Sequence, residues 1–314
     1  MNEFLVTVLI AIYNPPWKKL RATLNSVVAQ KGIPFDIVIC DDCSRENYQD
    51  QVSEYMAEKG FSEFKYVRMP KNGGTVQNIL NGLRFCEGRY VKTIGQGDLL
   101  HNADILCNMY RLAIEAKLKA VAGSYQSFVM NGDCPELVSG NRMPQNMNKC
   151  HSSKDAFIQY VVCHDIILGA TVLYEKECLQ KYLTEMSGKV IYSEDFATRL
   201  MIADGLSVDF YRKPVVYYER GTGVSFSGAV YGERLEQGKV EYIKMLIERY
   251  SDNKHLVHVF KIRINMIEHY SKRKHLHYLL SDYHILLNWL RRKFFPIKTS
   301  TEWQNDFFQQ CYRD

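Results

Sequence analysis

Residues Val6–Gln30 read VTVLIAIYNPPWKKLRATLNSVVAQ. The first part, Val6 to Tyr13, is continuously apolar and rich in β-branched residues, as expected of a parallel strand buried on both faces. A turn with two prolines follows. From Trp17 the period changes: Leu20, Leu24, Val27 and Val28 fall on one helical face. The same sequence of events then repeats. Asp36–Cys40 (DIVIC) is a second strand, Glu46–Lys59 a helix, Phe64–Met69 a third strand, and Thr75–Cys86 a helix that Thr75 can cap. Tyr90–Ile94 is a fourth strand, and Asn102–Ala116 a helix with Ile105, Met109 and Leu112 on one face. Alternating strands and helices predict an open, mostly parallel sheet with helices on both faces. Ligands of such sheets sit beyond the carboxyl ends of the strands.

The second half is less regular. Ile166–Tyr174 reads as a strand, Glu194–Asp204 as a helix, and Leu206–Tyr211 and Val215–Tyr218 as two short strands. Arg220–Gly228 (RGTGVSFSG) is a glycine- and serine-rich loop. From Tyr231 the chain reads as helical to its end, broken at Pro296, with a soft boundary near residue 250.

The 314 residues, 46% hydrophobic and 24% charged, suffice for one large core, or for a large domain plus a smaller one. No repeat or low-complexity segment is present. The net charge of +5 is uneven: residues 250–314 hold eleven Lys/Arg against six Asp/Glu, which is the whole excess, and six of the nine histidines. A basic end on a neutral body points to an anionic neighbour. Nucleic acid is disfavoured, because the body has no basic face visible in sequence and no nucleic-acid motif. The nine cysteines are scattered and odd in number, so they read as small buried hydrophobes in a reducing compartment. Cys40 and Cys43 form a C-x-x-C, but the two aspartates between them oppose thiolate formation. The apolar FLVTVLIAIY has no basic residues before it and is too short to span a bilayer, so we read it as a strand and expect no transmembrane segment.

Polar clusters fall where the strands end: YNPP, DDCS and GQGD. Asp41–Asp42 is either a solvated turn opening a helix or a pair held by donors or a ligand. Asp98 is either a cap for the helix near Asn102 or a ligand for a divalent cation whose remaining oxygens come from phosphate and water. Glu194 and Asp195 could simply complement a helix dipole. Asn72–Gly74 precedes a helix and could cradle phosphate. The chain lacks both the P-loop pattern and a G-x-G-x-x-G after its first strand, which argues against a P-loop NTPase and a dinucleotide-dependent dehydrogenase.

As an ordered set these pieces resemble family-2 glycosyltransferases of the GT-A fold, from about Phe4 to Ser225. The segment quoted first is similar to the family's opening strand, Tyr-Asn turn and helix. DIVICDDCS resembles its second strand, NGGTVQNILNGLRFCEGRYV its glycine-bearing helix and entry to strand four, GQGD its D-x-D, and SEDFATRLMIADG its Glu-Asp helix. The resemblance implies a GT-A-type (Rossmann-like) mixed, mostly parallel sheet flanked by helices, with a helical C-terminal region. The division it suggests is a catalytic domain over residues 1–230, with a nucleotide half to about 125 and an acceptor half beyond, then a helical extension over 231–314.

What the resemblance implies for function is an inverting, metal-dependent hexosyltransferase. It would use a nucleoside-diphosphate sugar, UDP-linked by preference, and a glycan or polyprenyl-linked acceptor in bacterial surface-polysaccharide synthesis. Nucleotide-sugar contacts would come from Ala11, Tyr13, Asn14, Asp41, Asp42, Asn72, Gly73, Gln77, Gln96, Gly97 and Asp98. Asp98 would ligate Mn2+ or Mg2+, Glu194 would face the acceptor, and Asp195 would be the general base. Gln96 stands for the first aspartate of D-x-D, and Gln77 for an arginine that could face the diphosphate; Lys71 or Arg68 could replace that cation. Competing readings are a non-catalytic sugar-nucleotide-binding or partner-binding module on the same fold, and a nucleotidyltransferase. The basic, aromatic tail (Lys272–Lys274, Arg291–Lys293, Phe294, Phe295) either covers the catalytic domain or touches an anionic membrane, which would place a cytoplasmic enzyme on the inner face of the cell membrane.

Overall fold

A computed structural model describes residues 4–132, 134–140, 144, 147, 150, 152–221, 228–297 and 306–313. Strand and helix alternate through the first half: β1 Val6–Ile12, α1 Trp17–Val28, β2 Phe35–Asp41, α2 Gln49–Glu58, β3 Phe64–Arg68, α3 Thr75–Leu83 and β4 Tyr90–Gly95. Next come β5 Leu99–Leu100, α4 Ile105–Glu115, β6 Ala120–Asn131, β7 Cys134–Leu137 and α5 Ser153–Ala156. A π-helical turn (Phe157–Val162) and a 3-10 turn (Gly169–Thr171) lead to β8 Val172–Glu175, α6 Lys176–Met186, α7 Phe196–Ala203 and β9 Val208–Glu219. The C-terminal part is helical: α8 Gly228–Arg249, α9 Lys254–Glu268, α10 Lys272–Leu280, α11 Tyr283–Phe294 and α12 Asp306–Tyr312.

One sheet runs in the order β3-β2-β1-β4-β8-β6-β9-β5, with β7 on β6. Strands β3, β2, β1 and β4 are parallel; β8 is antiparallel to both β4 and β6. β9 lies parallel to β6. In β1 the side chains alternate as a pleat requires. Val6, Val8, Ile10 and Ile12 pack with α1, α2 and α4, while Leu9 packs with α3, α6 and α7 on the other face. Tyr242, Leu246, Val259 and Phe260 of α8 and α9 join that second core. α12 returns to α1, where Asn25 Nδ2 donates to the Cys311 carbonyl at 2.9 Å.

The structure corrects several sequence expectations. Gly74, not Thr75, is the N-cap of α3, and no side chain caps it. Residues 166–171 are not strand; only Val172–Glu175 is. The two short strands expected at 206–218 are one, β9. Arg212, Lys213 and Pro214 interrupt its apolar pattern, and Pro214 has no N–H to give a ladder. The sheet absorbs this with register shifts between Ala122, Ser124 and Tyr125 of β6. Helix α4 begins at Ile105 behind Asp104, three residues later than expected, and α2 at Gln49 rather than Glu46. The long β6 and helix α6 had no counterpart in the sequence reading. All nine cysteines are free thiols, most of them buried, as their scatter in apolar runs suggests.

Gly74 joins the fold to the cavity described next. Its φ of +80° is a left-handed value that favours glycine, and a Cβ there would lie 2.3 Å from Ile191 Cγ2 and 2.8 Å from the Ile191 carbonyl oxygen. Gly74→Ala is expected to destabilise the fold by about 2 kcal/mol or more, read as a lowered urea midpoint at unchanged slope.

Candidate active site

A cavity of about 540 Å³ opens at the carboxyl ends of β1, β2 and β4. That volume is within the range of sites that enclose a small ligand. The turns after these strands supply one wall, including Tyr13, Asp42, Gln96 and Asp98. Leu168–Ala170 and Tyr192–Asp195 supply another, and Glu219 with Tyr231 and Leu235 of α8 closes the rim.

Asp98 caps no helix. It is buried, and its Oδ1 accepts the Glu219 backbone N–H at 3.2 Å, which pins the turn after β4 to the end of β9. Burial pushes its carboxyl up to about 8; the Glu219 N–H opposes this and the Glu219 charge adds to it. Behind it stands Lys92 of β4, with no exposed surface. Its ammonium donates to the Thr93 carbonyl at 2.9 Å and to the Ala170 carbonyl. Burial lowers this lysine to about 7, against the attraction of Asp98.

Gln96 serves the backbone. Its Oε1 accepts the Tyr13 N–H at 2.6 Å and its Nε2 donates to the Tyr13 carbonyl at 2.9 Å. The amide thereby ties the turn after β1 to the turn after β4. A carboxylate at 96 could accept from Tyr13 but could not donate to its carbonyl. So the glutamine that departs from D-x-D has a local structural use.

The adjacent acids 41 and 42 are both buried, not a solvated turn. Asp41 points away from the cavity, where Oδ1 accepts from the Ser44 N–H and hydroxyl at 2.8 and 2.6 Å and Oδ2 accepts from the Tyr66 hydroxyl at 2.8 Å. Asp42 lines the cavity and accepts the Gly73 and Gly74 N–H groups at 2.7 and 2.8 Å. Those two donors are therefore committed to Asp42, which removes them as a phosphate cradle.

Glu194 and Asp195 precede α7. Asp195 occupies its N-cap position, yet its carboxylate caps nothing. Instead Oδ2 lies 3.4 Å from Arg199 Nη2, one turn on. Burial raises the Asp195 pKa; Arg199 resists this. Glu194 is pushed up to about 7 by burial and then by the Asp195 charge. It packs against Gly169, where a Cβ would lie 2.4 Å from Glu194 Oε1.

The cavity thus gathers Ala11, Tyr13, Asp42, Asn72, Gln96, Asp98, Glu194 and Asp195 of the residues singled out in sequence. Asn14, Asp41, Gly73, Gln77 and Gly97 lie outside its lining among the described residues. Asn14 instead accepts the Arg45 N–H through Oδ1, and Gln77 donates to the Ser187 hydroxyl. Neither Lys71 nor Arg68 faces the cavity; Arg68 turns to Asp41 and the Ser44 carbonyl. Among the described residues the lining cation is Lys19 of α1. Lys19, Asn78, Lys92 and Glu219 escaped the sequence reading. Each sits inside a regular helix or strand pattern, and no motif marks it. Residues 222–227 of the glycine- and serine-rich loop expected at Arg220–Gly228 lie outside the described residues.

The site is one of hard oxygen donors, the kind Mg2+ and Mn2+ accept. Among the described residues no group of three or more potential metal ligands occurs, so water or a bound ligand would have to complete any coordination shell.

The fold and this acid-lined cavity define an α/β enzyme with its site at the strand ends. The profile of "Glycosyl transferase family 2" matches residues 7–183, more than half of the chain. The chain belongs to that family of glycosyltransferases. No curated protein matches the sequence. Among solved structures it is similar to TarS (residues 1–349) of S. aureus in complex with UDP-GlcNAc, at 18% identity and a TM-score of 0.59, covering 88% of this chain and 79% of that one. It is also similar to the mannosyltransferase PcManGT of Pyrobaculum calidifontis in complex with GDP-Man and Mn2+, at 14% identity and a TM-score of 0.56, covering 93% and 75%. At these identities the likeness speaks for the fold.

Proposed function

We propose that this enzyme moves a hexosyl group from a nucleoside-diphosphate sugar, UDP-linked by preference, to a hydroxyl of a glycan or polyprenyl-linked acceptor, with inversion, in surface-polysaccharide synthesis (O-antigen, capsule or exopolysaccharide). The observation that carries this reading is that Asp98 and Asp195, from two separate motifs of the set, line one cavity of about 540 Å³. The structures of similar fold in complex with UDP-GlcNAc and with GDP-Man and Mn2+ support the donor class.

In this reading Tyr13 and Asp42 hold the base and ribose, and Asp98 holds Mn2+ or Mg2+. When bound, the cation screens the charge that grows on the leaving diphosphate. Asp195 accepts the proton of the acceptor hydroxyl as its oxygen attacks the anomeric carbon. Burial raises the pKa of Asp195, which suits a base, and Arg199 opposes that rise. Glu194 shapes the acceptor side against Gly169. A binding module without catalysis would not need a base that is withheld from capping its own helix.

A second reading concerns placement. Among the described residues, seven of the ten exposed large hydrophobics fall between 270 and 295: Tyr270, Leu276, Leu280, Tyr283, Leu287, Phe294 and Phe295. Lys272–Lys274 and Arg291–Lys293 interleave with them. Among the described residues no helix is long and apolar enough to cross a membrane. Basic and apolar side chains on short helices fit peripheral contact with an anionic leaflet at the inner face of the cell membrane, where a lipid-linked acceptor would be met.

Three outcomes are expected. Asp195→Asn lowers transfer about a thousandfold while donor affinity is kept, measured by nucleoside-diphosphate release and by titration calorimetry; unchanged turnover would refute the base. Because the Asp98 carboxyl sits at about 8 in the cation-free protein, a metal must displace its proton. Mn2+ affinity without nucleotide therefore drops about tenfold per pH unit below that value, and a flat profile across the neutral range contradicts cation binding there. Co-sedimentation with phosphatidylserine vesicles is expected to fade with added salt; equal binding to neutral vesicles would remove the electrostatic contact.

A further inference from the structure

Glu219 has no task in the reading above, yet its surroundings are specific. It ends β9, and its backbone N–H is the one that holds Asp98 Oδ1. Its side chain is 4% exposed and lines the cavity. Oε1 accepts from Lys19 Nζ at 2.6 Å, whereas Oε2 is buried without a hydrogen-bond partner. A carboxylate oxygen removed from water without a donor is costly, and such atoms in native folds are usually completed by something that binds. Room for that oxygen is made by Gly97. Its φ of +91° favours glycine, and a Cβ there would lie 2.8 Å from Oε2.

Five carboxylates line the cavity (Asp42, Asp98, Glu194, Asp195 and Glu219), and Lys19 is the lining cation among the described residues. Asp42 is satisfied by two backbone donors, and Asp195 faces Arg199. Asp98, Glu194 and Glu219 remain, and of these Asp98 and Glu219 are tied together through a backbone hydrogen bond, each with an oxygen not committed to the backbone. Two neighbouring hard oxygen donors match a divalent cation better than a sugar hydroxyl, because a cation offsets the repulsion between them once both are ionised. Lys19, 22% exposed, is placed to serve as the counter-ion of Glu219 until one arrives.

We propose that Glu219 is a second protein ligand of the divalent cation at Asp98, and that the cation displaces the Lys19 ammonium, which then turns to the diphosphate. The inference rests on the cation site of the proposed function. It adds to that site a residue and an exchange of partners. It also supplies from α1 the positive charge that Gln77 does not bring.

The test is Mn2+ titration followed by electron paramagnetic resonance on the full chain, without nucleotide or acceptor. Glu219→Gln is expected to weaken Mn2+ about tenfold or more. Lys19→Met is expected to tighten it about threefold by removing the competitor, and to weaken UDP in the presence of Mn2+. Opposite shifts from the two ends of one ion pair cannot come from misfolding, which would weaken both. Wild-type Mn2+ affinity in Glu219→Gln, or weaker Mn2+ binding in Lys19→Met, overturns the proposal. If Glu219→Gln spares Mn2+ and UDP but weakens the UDP-sugar, Glu219 is a sugar contact and the proposal fails. If Asp98→Asn alone abolishes Mn2+ binding, only the role of Glu219 falls. Absence of Mn2+ and UDP binding in the wild type removes the donor reading itself.

Discussion

Acid crowding in a largely buried cavity is the constraint from which the rest of this structure follows. Five carboxylates face one cavity, and a single lysine among the described lining residues opposes them. Each carboxylate has lost hydration, and burial is the largest cause of the raised pKa at Asp42, Asp98, Glu194 and Asp195. The fold manages this one residue at a time. Asp42 is stabilised by two glycine N–H groups, Asp195 by a guanidinium, Asp98 by a backbone N–H and a lysine buried behind it. Among the described lining carboxylates, Oε2 of Glu219, beside Asp98, is left buried without a hydrogen-bond partner. In the proposed reading, a diphosphate entering such a site meets a repulsion that a cation arriving with it would offset.

The scaffold holds these groups by joining strand ends to one another. Gln96 fastens the turn after β1 to the turn after β4, Glu219 fastens β9 to Asp98, and Lys92 fastens β4 to Ala170 on the facing wall. Each tie links segments far apart in sequence, so the cavity depends on the whole sheet being formed. The C-terminal helices take part as well. Tyr231 and Leu235 of α8 line the cavity, and Tyr231 packs edge-on against Tyr192 with ring centroids 5.1 Å apart.

The first half of the fold was legible because its strands are buried on both faces and its helices have one apolar face, so two different periods alternate along the chain. The second half hid its sheet. Strand β6 runs over AVAGSYQSFVMN, where small and polar residues break any simple alternation, and β9 carries Lys213 and Pro214 at its bulge. In the site, the acids at turns were visible because an acid after an apolar strand stands out. Lys92 was not, since a lysine within a strand reads as an exposed position and here is fully buried. Glu219 looked like the polar end of a strand; its pairing with Lys19 spans 200 residues of chain. Asp41 and Asp42 looked equivalent in sequence, but the pleat sends them to different environments.

The central claim is that a nucleoside diphosphate enters this cavity together with a divalent cation. Calorimetric titration of UDP, with Mn2+ present and again after chelation, measures that most directly. The account predicts saturable binding of one equivalent with Mn2+ and its loss on chelation. UDP binding that is indifferent to the cation, or that survives in a variant whose cavity carboxylates are all amides, would contradict it.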